Sequence, residues 1–221
     1  MPSAAETNPR TDWDAWHSDY ADAGSALSAR LAIVQQQIRT ALATVPGRCS
    51  VLSACAGDGR DILGVLAELG NDASRIQVTL LETDPRNLER AARFCQQAGL
   101  SGVRLRDHDA GLASSYADAA PADLVLMCGV FGNVSDADVR RLIEFLPRLC
   151  RPGATLIWTR SRRSPDLTPR IRGWLADSGF TERSFTAPPD VLFSVGAHRF
   201  DGQVPDQAAQ LLDERLFSFL N

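Results

Sequence analysis

The chain has 221 residues, is 44% hydrophobic and carries a formal net charge of −4 at pH 7. This length and composition fit one globular domain with a substantial core. The negative charge argues against a protein that binds nucleic acid mainly through phosphate contacts. All 23 basic residues are arginine, so the chain has no lysine for Schiff-base chemistry.

Five cysteines are scattered along the chain and include no Cys-x-x-Cys pair. We therefore predict neither a disulfide framework nor a metal site. The first ten residues are polar, without the apolar stretch of a signal peptide, and no apolar run reaches membrane-spanning length. These features predict a cytoplasmic chain with no membrane partner.

The N-terminal 45 residues are expected to form a helical element. Trp13, Trp16, His17 and Tyr20 fall along one face of a predicted helix over residues 11–22. A long amphipathic helix is predicted at about 25–44, where apolar residues recur at helical spacing.

Strand and helix patterns alternate through the rest of the chain, which indicates a parallel sheet with helices on both faces. Predicted strands cover 50–54, 76–82, 102–106, 123–128 and 154–159. Predicted helices cover 59–69, 85–98, 135–149, 166–178 and, last, about 205–219. Two further strands, Thr181–Ala187 and Leu192–Phe200, are predicted to form an antiparallel pair.

The loop after the first strand is the most informative feature. The chain reads VLSACAGDGRD over residues 51–61, so a short apolar strand runs into small residues and then into a helix. Backbone can approach a ligand closely at such a turn. The loop is a weak signal by itself, because tight strand-to-helix turns also occur where no ligand binds. Its spacing lacks the Gly-x-Gly-x-x-Gly pattern of dinucleotide-binding enzymes.

The second predicted strand ends at Glu82, followed by Thr83, Asp84 and Pro85. An acid at this place in an α/β sheet can accept hydrogen bonds from both hydroxyls of a ribose. Alternatively, Glu82 and Asp84 are turn and cap residues of the next helix. That interpretation suits Asp84 and leaves Glu82 without a role.

The order of these features resembles the class I S-adenosylmethionine-dependent methyltransferases over about residues 48–200. Five segments carry the resemblance, and they follow one another in the order and spacing of the family. They are the loop Ser53–Gly59, the ribose acid Glu82, the adenine-side acid Asp109, the fourth-strand segment Ala122–Asn133 and the later segment Leu146–Trp158.

The resemblance implies a fold and a domain organisation. The expected fold is α/β, a doubly wound, mostly parallel seven-stranded sheet with helices on both faces and an N-terminal helical lid. All 221 residues would form one domain. Residues 1–45 would be the lid and substrate element, 46–200 the Rossmann-like core and 201–221 a C-terminal helix.

The resemblance also implies S-adenosyl-L-methionine as the cofactor and a set of residues that bind it. The predicted cofactor-binding residues are Ser53, Ala54, Cys55, Ala56, Gly57, Gly59, Glu82, Thr83, Asp109, Ala110, Cys128 and Gly129. Two of these depart from the family, which usually has an acid where this chain has Ser53 and glycine where it has Cys55. Ser53 would hold the amino-acid end of the cofactor through its hydroxyl or a water, and Cys55 would crowd the loop.

Residues near the carboxyl ends of the later strands are candidates for the acceptor side. Asn133 is predicted either to orient a nucleophile or to cap the helix beside Ser135. Arg160 is either a clamp for a carboxylate or phosphate or part of a solvated loop. The remaining predicted substrate residues are Phe131 and the lid aromatics Trp13, Trp16 and Tyr20.

The sequence contains three histidines, and each is a candidate for a different role. His17 on the lid is a candidate general base, with a structural role as the alternative. His198 on the last predicted strand is a secondary candidate, and His108 is interpreted as surface or cofactor wall. His17 and Asn133 are thus the predicted catalytic residues.

The predicted function is methyl transfer to a small molecule, through an O, N or C acceptor that the sequence does not identify. Alignment and exclusion of water would be the main catalytic effects, because the sulfonium methyl is already activated. Two alternatives remain open: an enzyme that cyclises or cleaves S-adenosylmethionine itself, and a non-catalytic domain that binds it. No nucleic-acid, membrane or metal partner is predicted, and the sequence does not indicate an oligomeric state.

Overall fold

The computed structural model describes residues 25–203 and 214–220. The helix predicted over residues 11–22, which carries the lid aromatics and His17, lies outside these residues. So does most of the helix predicted at about 205–219.

A seven-stranded sheet forms the centre of the structure. Its strands lie in the order β3-β2-β1-β4-β5-β7-β6. The bounds are β1 Cys49–Ala54, β2 Ile76–Glu82, β3 Val103–Asp107, β4 Ala122–Met127, β5 Cys150–Ser161, β6 Phe180–Thr186 and β7 Phe193–Phe200. Strand β7 is antiparallel to both of its neighbours, and the other adjacent strands are parallel. The sheet is therefore mixed, with the antiparallel pair at the predicted edge.

Five α-helices are described. They are α1 Ala26–Thr44, α2 Arg60–Leu69, α3 Pro85–Ala98, α4 Asp136–Phe145 and α5 Thr168–Asp177. Short 3-10 turns follow α2 and α4, at Gly70–Arg75 and Leu146–Arg148, and another lies at Ala113–Tyr116. The predicted helices over residues 25–178 are confirmed, with α4 ending four residues before the predicted position.

Side chains at the helix starts explain why the helices begin there. Ser25, Asp84 and Ser135 accept hydrogen bonds from backbone amides of the first turns of α1, α3 and α4. Such caps satisfy amide groups that have no partner within the helix. Pro85 at the first position of α3 has no amide to satisfy. The cap interpretation of Asp84 is thus confirmed, and α4 is capped by Ser135 rather than by Asn133.

Two apolar layers cover the two faces of the sheet. One layer joins the sheet to α4 and α5, and the other joins it to α1, α2 and α3. Successive residues of β1 contribute to opposite layers, Leu52 to the first and Val51 to the second. This alternation follows from the two-residue repeat of a strand, and apolar residues on both faces are what a covered parallel sheet requires.

The long helix α1 is attached to the core domain by polar contacts as well as apolar ones. The amide nitrogen of Gln35 donates to the carbonyl of Arg60 at 3.1 Å. Ser184 of β6 donates to Gln37 at 3.1 Å. Helix α1 therefore lies over the start of α2, next to the loop that follows β1.

The C-terminal segment differs from its prediction. Residues 214–220 form an extended segment, not the last part of a helix. The amide of Leu216 donates to Gly111, and the amide of Leu220 donates to Asn133, at 2.7 and 2.8 Å. Isolated bridges pair Arg215 with Leu112 and Phe219 with Val134. We call residues 214–220 the C-terminal strap.

No helix in residues 25–203 is both long enough and apolar enough to cross a membrane.

The contact between Gly196 and Trp158 gives a test of the packing between β5 and β7. A Cβ atom at Gly196 would lie 2.4–2.6 Å from atoms of the fully buried Trp158 indole. We expect Gly196→Ala to lower the free energy of unfolding by about 1–3 kcal/mol, because overpacking forces side chains to move. Urea denaturation measures the change.

Gly173 in α5 is the matched control, since a Cβ there meets no atom within 4 Å. We expect Gly173→Ala to stabilise the protein by about 0.5–1 kcal/mol, as alanine does in helix interiors. Equal effects of the two substitutions would contradict this account of the packing.

Candidate functional site

The candidate site lies where the chain changes direction across the sheet. From β1 the chain moves outward to β2 and β3, and it then returns to β4 on the other side of β1. Ligands of open α/β sheets bind at the carboxyl ends of the strands at such a point. The loop after β1, the end of β2 and the segment after β4 meet there.

Backbone hydrogen bonds hold the loop after β1 against the end of β2. The amide of Ala56 donates to the carbonyl of Leu81 at 3.0 Å, and the amide of Gly59 closes a turn onto Ala56 at 2.9 Å. Cys55 has a φ of 50°, in the left-handed region that glycine adopts at least cost. The residue that departs from the family pattern therefore stands where the backbone favours glycine.

Glu82 has a clear structural role, which the cap interpretation did not provide. Its Oε2 accepts from the amide of Gly57 at 2.7 Å. Its Oε1 accepts from the amides of Thr83 and Asp84 at 2.9 and 2.8 Å. A carboxylate that accepts backbone amides is held in one orientation by charge-assisted bonds. Glu82 thus ties the loop to the end of β2 at the position predicted for the ribose acid.

Asp109 is the acid predicted for the adenine side. Burial raises the pKa of the Cys55 thiol, and the negative charges of Glu82 and Asp109 raise it further. Oδ1 of Asp109 accepts from the amide of Gly111 at 2.8 Å. Its Oδ2 is 3.0 Å from the guanidinium of Arg215 in the C-terminal strap. The predicted adenine-side acid is therefore held by the strap.

A cavity of about 80 Å³ opens between the loop and α1. One wall is α1, and the others are the loop, the first turn of α2 and the segment after β4. The residues that line it are Arg30, Leu31, Val34, Cys55, Ala56, Gly57, Asp58, Arg60, Asp61, Cys128 and Gly129. Five of the predicted cofactor-binding residues lie in this wall. They are Cys55, Ala56, Gly57, Cys128 and Gly129.

Ser53, Ala54 and Ala110 do not line this cavity. The side chains of Ser53 and Ala54 belong to β1 and are 1% exposed, and Ala110 is 3% exposed. Burial on both faces of a central strand leaves Ser53 no opening toward the cavity. Ser53 therefore does not face this cavity, and its contact with the cofactor stays a prediction.

Sequence reasoning missed Arg30 and Asp61. Asp61 is 9% exposed, accepts a hydrogen bond from the amide of Ile62 at 2.8 Å and lines the cavity. Burial raises its pKa to about 6. A signal for Asp61 was present, because the sequence places it in the first turn of the helix after the loop. An acid there is normally interpreted as a partner of the helix dipole.

The segment after β4 is held by local hydrogen bonds. The side-chain amide of Asn133 donates to the carbonyl of Gly129 at 2.6 Å. The amide of Gly129 donates to the hydroxyl of Thr159 at 2.9 Å. Asn133 closes this turn and does not cap α4. Its side chain keeps a second N–H donor and its oxygen, and its role of orienting a nucleophile stays a prediction.

Arg160 and Phe131 also differ from their predicted surroundings. The Arg160 side chain is 14% exposed, donates to the carbonyl of Phe131 and lies 3.6 Å from Asp136. Burial lowers its pKa. The solvated-loop alternative for Arg160 is therefore wrong. Phe131 is fully buried against Trp158, with ring centroids 5.8 Å apart, and its contact with a substrate stays a prediction.

His198 is a core residue. It is 1% exposed, and its Nδ1 accepts from the indole nitrogen of Trp158 at 3.2 Å. Its Nε2 lies 3.6 Å from Glu182, which is paired with Arg172 at 2.6 Å. Burial lowers the pKa of His198 to about 4. This histidine is neutral near pH 7 and packs inside the sheet, while His108 is exposed.

Comparison with known proteins agrees with this architecture. Residues 51–153 match the model of a family described as a methyltransferase domain. No curated protein matches the chain by sequence.

Among solved structures, magnesium protoporphyrin IX methyltransferase from Synechocystis PCC 6803, with bound S-adenosylmethionine, is 17% identical with a TM-score of 0.65. The match covers 86% of this chain and 91% of that one. The 1,6-didemethyltoxoflavin-N1-methyltransferase from Burkholderia thailandensis, with its substrate and S-adenosylhomocysteine bound, is 18% identical with a TM-score of 0.62. That match covers 91% and 94% of the two chains.

An O-methyltransferase family protein from Burkholderia thailandensis is 15% identical, with a TM-score of 0.64 over 86% of this chain and 60% of that one. At such identities the structural likeness shows the fold.

The burial of His198 predicts a dependence of stability on pH. Its pKa in the folded protein is about 4, against 6.5 when exposed, so below pH 6.5 the unfolded chain binds a proton that the folded chain does not. The neutral form of His198 therefore contributes its full share to the free energy of unfolding above pH 6.5. This contribution is lost as the pH falls toward 4. We expect a loss of up to about 3 kcal/mol from this residue. Urea denaturation across this pH range measures it.

His198→Gln should remove that part of the pH dependence, whereas substitution of the exposed His108 by glutamine should leave it unchanged. An identical pH dependence in the wild-type protein and His198→Gln would show that the histidine does not carry it.

Proposed function

We propose that this chain, which belongs to the methyltransferase-domain family through its residues 51–153, is an S-adenosylmethionine-dependent methyltransferase that acts on a small molecule. S-adenosylmethionine is the cofactor of this family, and it is bound in the structure of the Synechocystis enzyme. The resemblance found in the sequence is thereby confirmed at the level of the family.

One observation carries the proposal beyond family membership. The Glu82 carboxylate stands at the end of β2 and is fixed against the Gly57 amide at 2.7 Å. This places an oriented acceptor beside a small-residue loop at the point where the strand order reverses. A ribose diol is a ligand that can donate two hydrogen bonds to such a carboxylate.

The residues around Glu82 fit the two ends of the cofactor. Glu82 and Asp109 are the acids proposed to bind adenosine. The cavity under α1 carries both acidic and basic side chains, which suits an amino-acid end with two charges. Cys128 and Gly129, after β4, lie in the wall of this cavity. The fit supports the predicted cofactor residues of the loop, of β2 and of the segment after β4.

The chemistry asks little of the protein side chains. A methyl group on a sulfonium is already activated for displacement, so this group supplies the reactivity when the cofactor is bound. The chain itself has to align the acceptor and exclude water. A general base is needed only if the acceptor carries a proton, and His17 is the proposed candidate. His17, Trp13, Trp16 and Tyr20 lie outside the described residues, and their roles in a lid remain part of the proposal.

A small acceptor is favoured over a macromolecule by two arguments. The net charge of −4 does not suit a protein that tracks a phosphate backbone. The Synechocystis and Burkholderia enzymes are described as methyltransferases of a porphyrin and of a toxoflavin precursor, both small molecules. Arg160, partly buried near the end of β5, is the residue we propose for an acidic group on the acceptor. We propose a cytoplasmic location.

The proposal is tested first by calorimetric titration of the full chain with S-adenosylmethionine and, separately, with S-adenosylhomocysteine. Mass spectrometry then follows each mixture. We expect both ligands to bind and S-adenosylmethionine to stay intact without an acceptor. Consumption of S-adenosylmethionine alone would replace the proposal by cyclisation or cleavage of the cofactor. Failure of both ligands to bind would refute it.

Substitution of Glu82 tests the ribose assignment. We expect Glu82→Ala to weaken binding of S-adenosylhomocysteine by about 1.5–3 kcal/mol, the cost of losing hydrogen bonds to a charged group. This corresponds to roughly 10- to 150-fold in the dissociation constant. Titration calorimetry measures the change.

Glu89→Ala is the control, because Glu89 lies on the exposed face of α3, where it pairs with Arg93 at 3.2 Å. The affinity of Glu89→Ala for S-adenosylhomocysteine should equal that of the wild-type protein. Unchanged affinity in Glu89→Ala and Glu82→Ala alike would rule out the ribose contact.

A further inference from the structure

The cavity under α1 contains a buried carboxylate that forms no ion pair with any residue in the described ranges 25–203 and 214–220. Asp61 is 9% exposed and lies in the first turn of α2, in the cavity wall. Among residues 25–203 and 214–220, its hydrogen-bond donor is the amide of Ile62, which contacts Oδ1. No arginine or histidine of these residues lies within 4.0 Å of either carboxylate oxygen, and Oδ2 has no hydrogen-bond partner among them.

Two other partly buried acids near β1 differ from Asp61. Asp58, in the same loop, forms a short ion pair with Arg60. Asp123, at the start of β4, is 2.9 Å from Arg151 and accepts from Ser50 at 2.7 Å. Asp61 is more deeply buried and forms no ion pair with the described residues. Burying a carboxylate without an ion pair is costly, so the charged form of Asp61 is unfavourable at this place.

The titratable groups that face Asp61 come from every wall of the cavity, and all of them except the neutral thiol of Cys128 are charged. Asp58 and Arg60 belong to the loop and the start of α2, Cys128 follows β4, and Arg30 projects from α1. Arg30 is the positive group that partly offsets the burial of Asp61. One concave surface thus presents a carboxylate and a guanidinium, which matches the two charges of an α-amino acid.

Neither of the other polar residues near the loop can take an ammonium group here. Ser53 is 1% exposed inside β1 and does not line the cavity. Glu82 does not line the cavity either, and its two oxygens are oriented by the backbone amides of Gly57, Thr83 and Asp84. Asp61 is the acid in the cavity wall whose second oxygen is not engaged by the described residues.

We propose that Asp61 binds the α-ammonium of the amino-acid end of S-adenosylmethionine, with Arg30 on the carboxylate side of the same cavity. The inference rests on the proposed function, because it assumes that this cofactor binds. The ammonium contacts Oδ2 of Asp61, which has no hydrogen-bond partner among the described residues. The family usually has an acid at the end of β1, where this chain has Ser53. In this chain the acid that binds the ammonium lies in the first turn of α2 instead.

Two ligands separate this role from a general effect on the site. S-adenosylhomocysteine carries the amino-acid end, and 5′-methylthioadenosine has the same adenosine and thioether but lacks that end. We expect Asp61→Asn to weaken S-adenosylhomocysteine at least tenfold and to leave 5′-methylthioadenosine within twofold of the wild-type affinity, both measured by titration calorimetry. Asparagine keeps the shape of the side chain and removes its charge.

Glu68→Gln is the control on the same helix, since Glu68 is an exposed acid at the far end of α2, paired with Arg39 at 2.6 Å. It should change neither affinity. Equal weakening of both ligands by Asp61→Asn, or an unchanged affinity for S-adenosylhomocysteine, would overturn the inference. Absence of binding of either ligand to the wild-type protein would instead refute the proposed function.

A measurement on the wild-type protein tests the same role without any variant. Asp61 has a pKa of about 6, and only its charged form attracts an ammonium. Between pH 7 and pH 5 we expect the affinity for S-adenosylhomocysteine to fall about tenfold, while that for 5′-methylthioadenosine stays constant. Parallel pH profiles of the two ligands would contradict the assignment, even if Asp61→Asn failed to fold.

Discussion

The hydrogen bonds between the end of β2 and the loop after β1 are the contacts on which the rest of the site depends. The carbonyl of Leu81 accepts a hydrogen bond from the amide of Ala56, and the carboxylate of Glu82 accepts one from the amide of Gly57. These bonds fix the loop at the point where the strand order reverses. They hold Cys55, Ala56 and Gly57 in the wall of the cavity under α1.

The far side of the site is supported from two directions. Thr159 of β5 fixes the amide of Gly129, and the C-terminal strap reaches both Asn133 and Asp109. The strap therefore links the acid predicted for adenine to the turn after β4. A segment that contacts both places ties together parts of the sheet edge that are remote in sequence.

Two features of the site oppose stability. Cys55 has a left-handed backbone conformation. The carboxylate of Asp61 is buried and accepts a hydrogen bond from the amide of Ile62. Strain and uncompensated charge persist in a fold only where the surrounding structure imposes them, and they concentrate at functional sites. The surrounding structure here is rigid, since β1 and β4 are covered on both faces by apolar layers. The core thus maintains a site that is unfavourable by itself.

The sequence by itself determined the architecture, because the information is local. Strand and helix differ in the spacing of their apolar residues, so alternation along the chain predicted the sheet, its antiparallel edge and α1 to α5. Glu82 and the small residues of the loop were found in the same way, since a strand end and the turn that follows it are adjacent in sequence. Asp84 is a cap that its own neighbours define.

Only the tertiary structure decided which side chains face the cavity. Ser53 and Phe131 are close to the loop in sequence or in the predicted sheet, yet packing on both faces buries them. Asp61 and Arg30 form the charged wall because α1 lies across the start of α2. These two residues are 31 positions apart in the sequence, so no local pattern encodes their proximity. The C-terminal strap is extended for a similar reason, because its backbone bonds with Gly111 and Asn133 replace those of a helix.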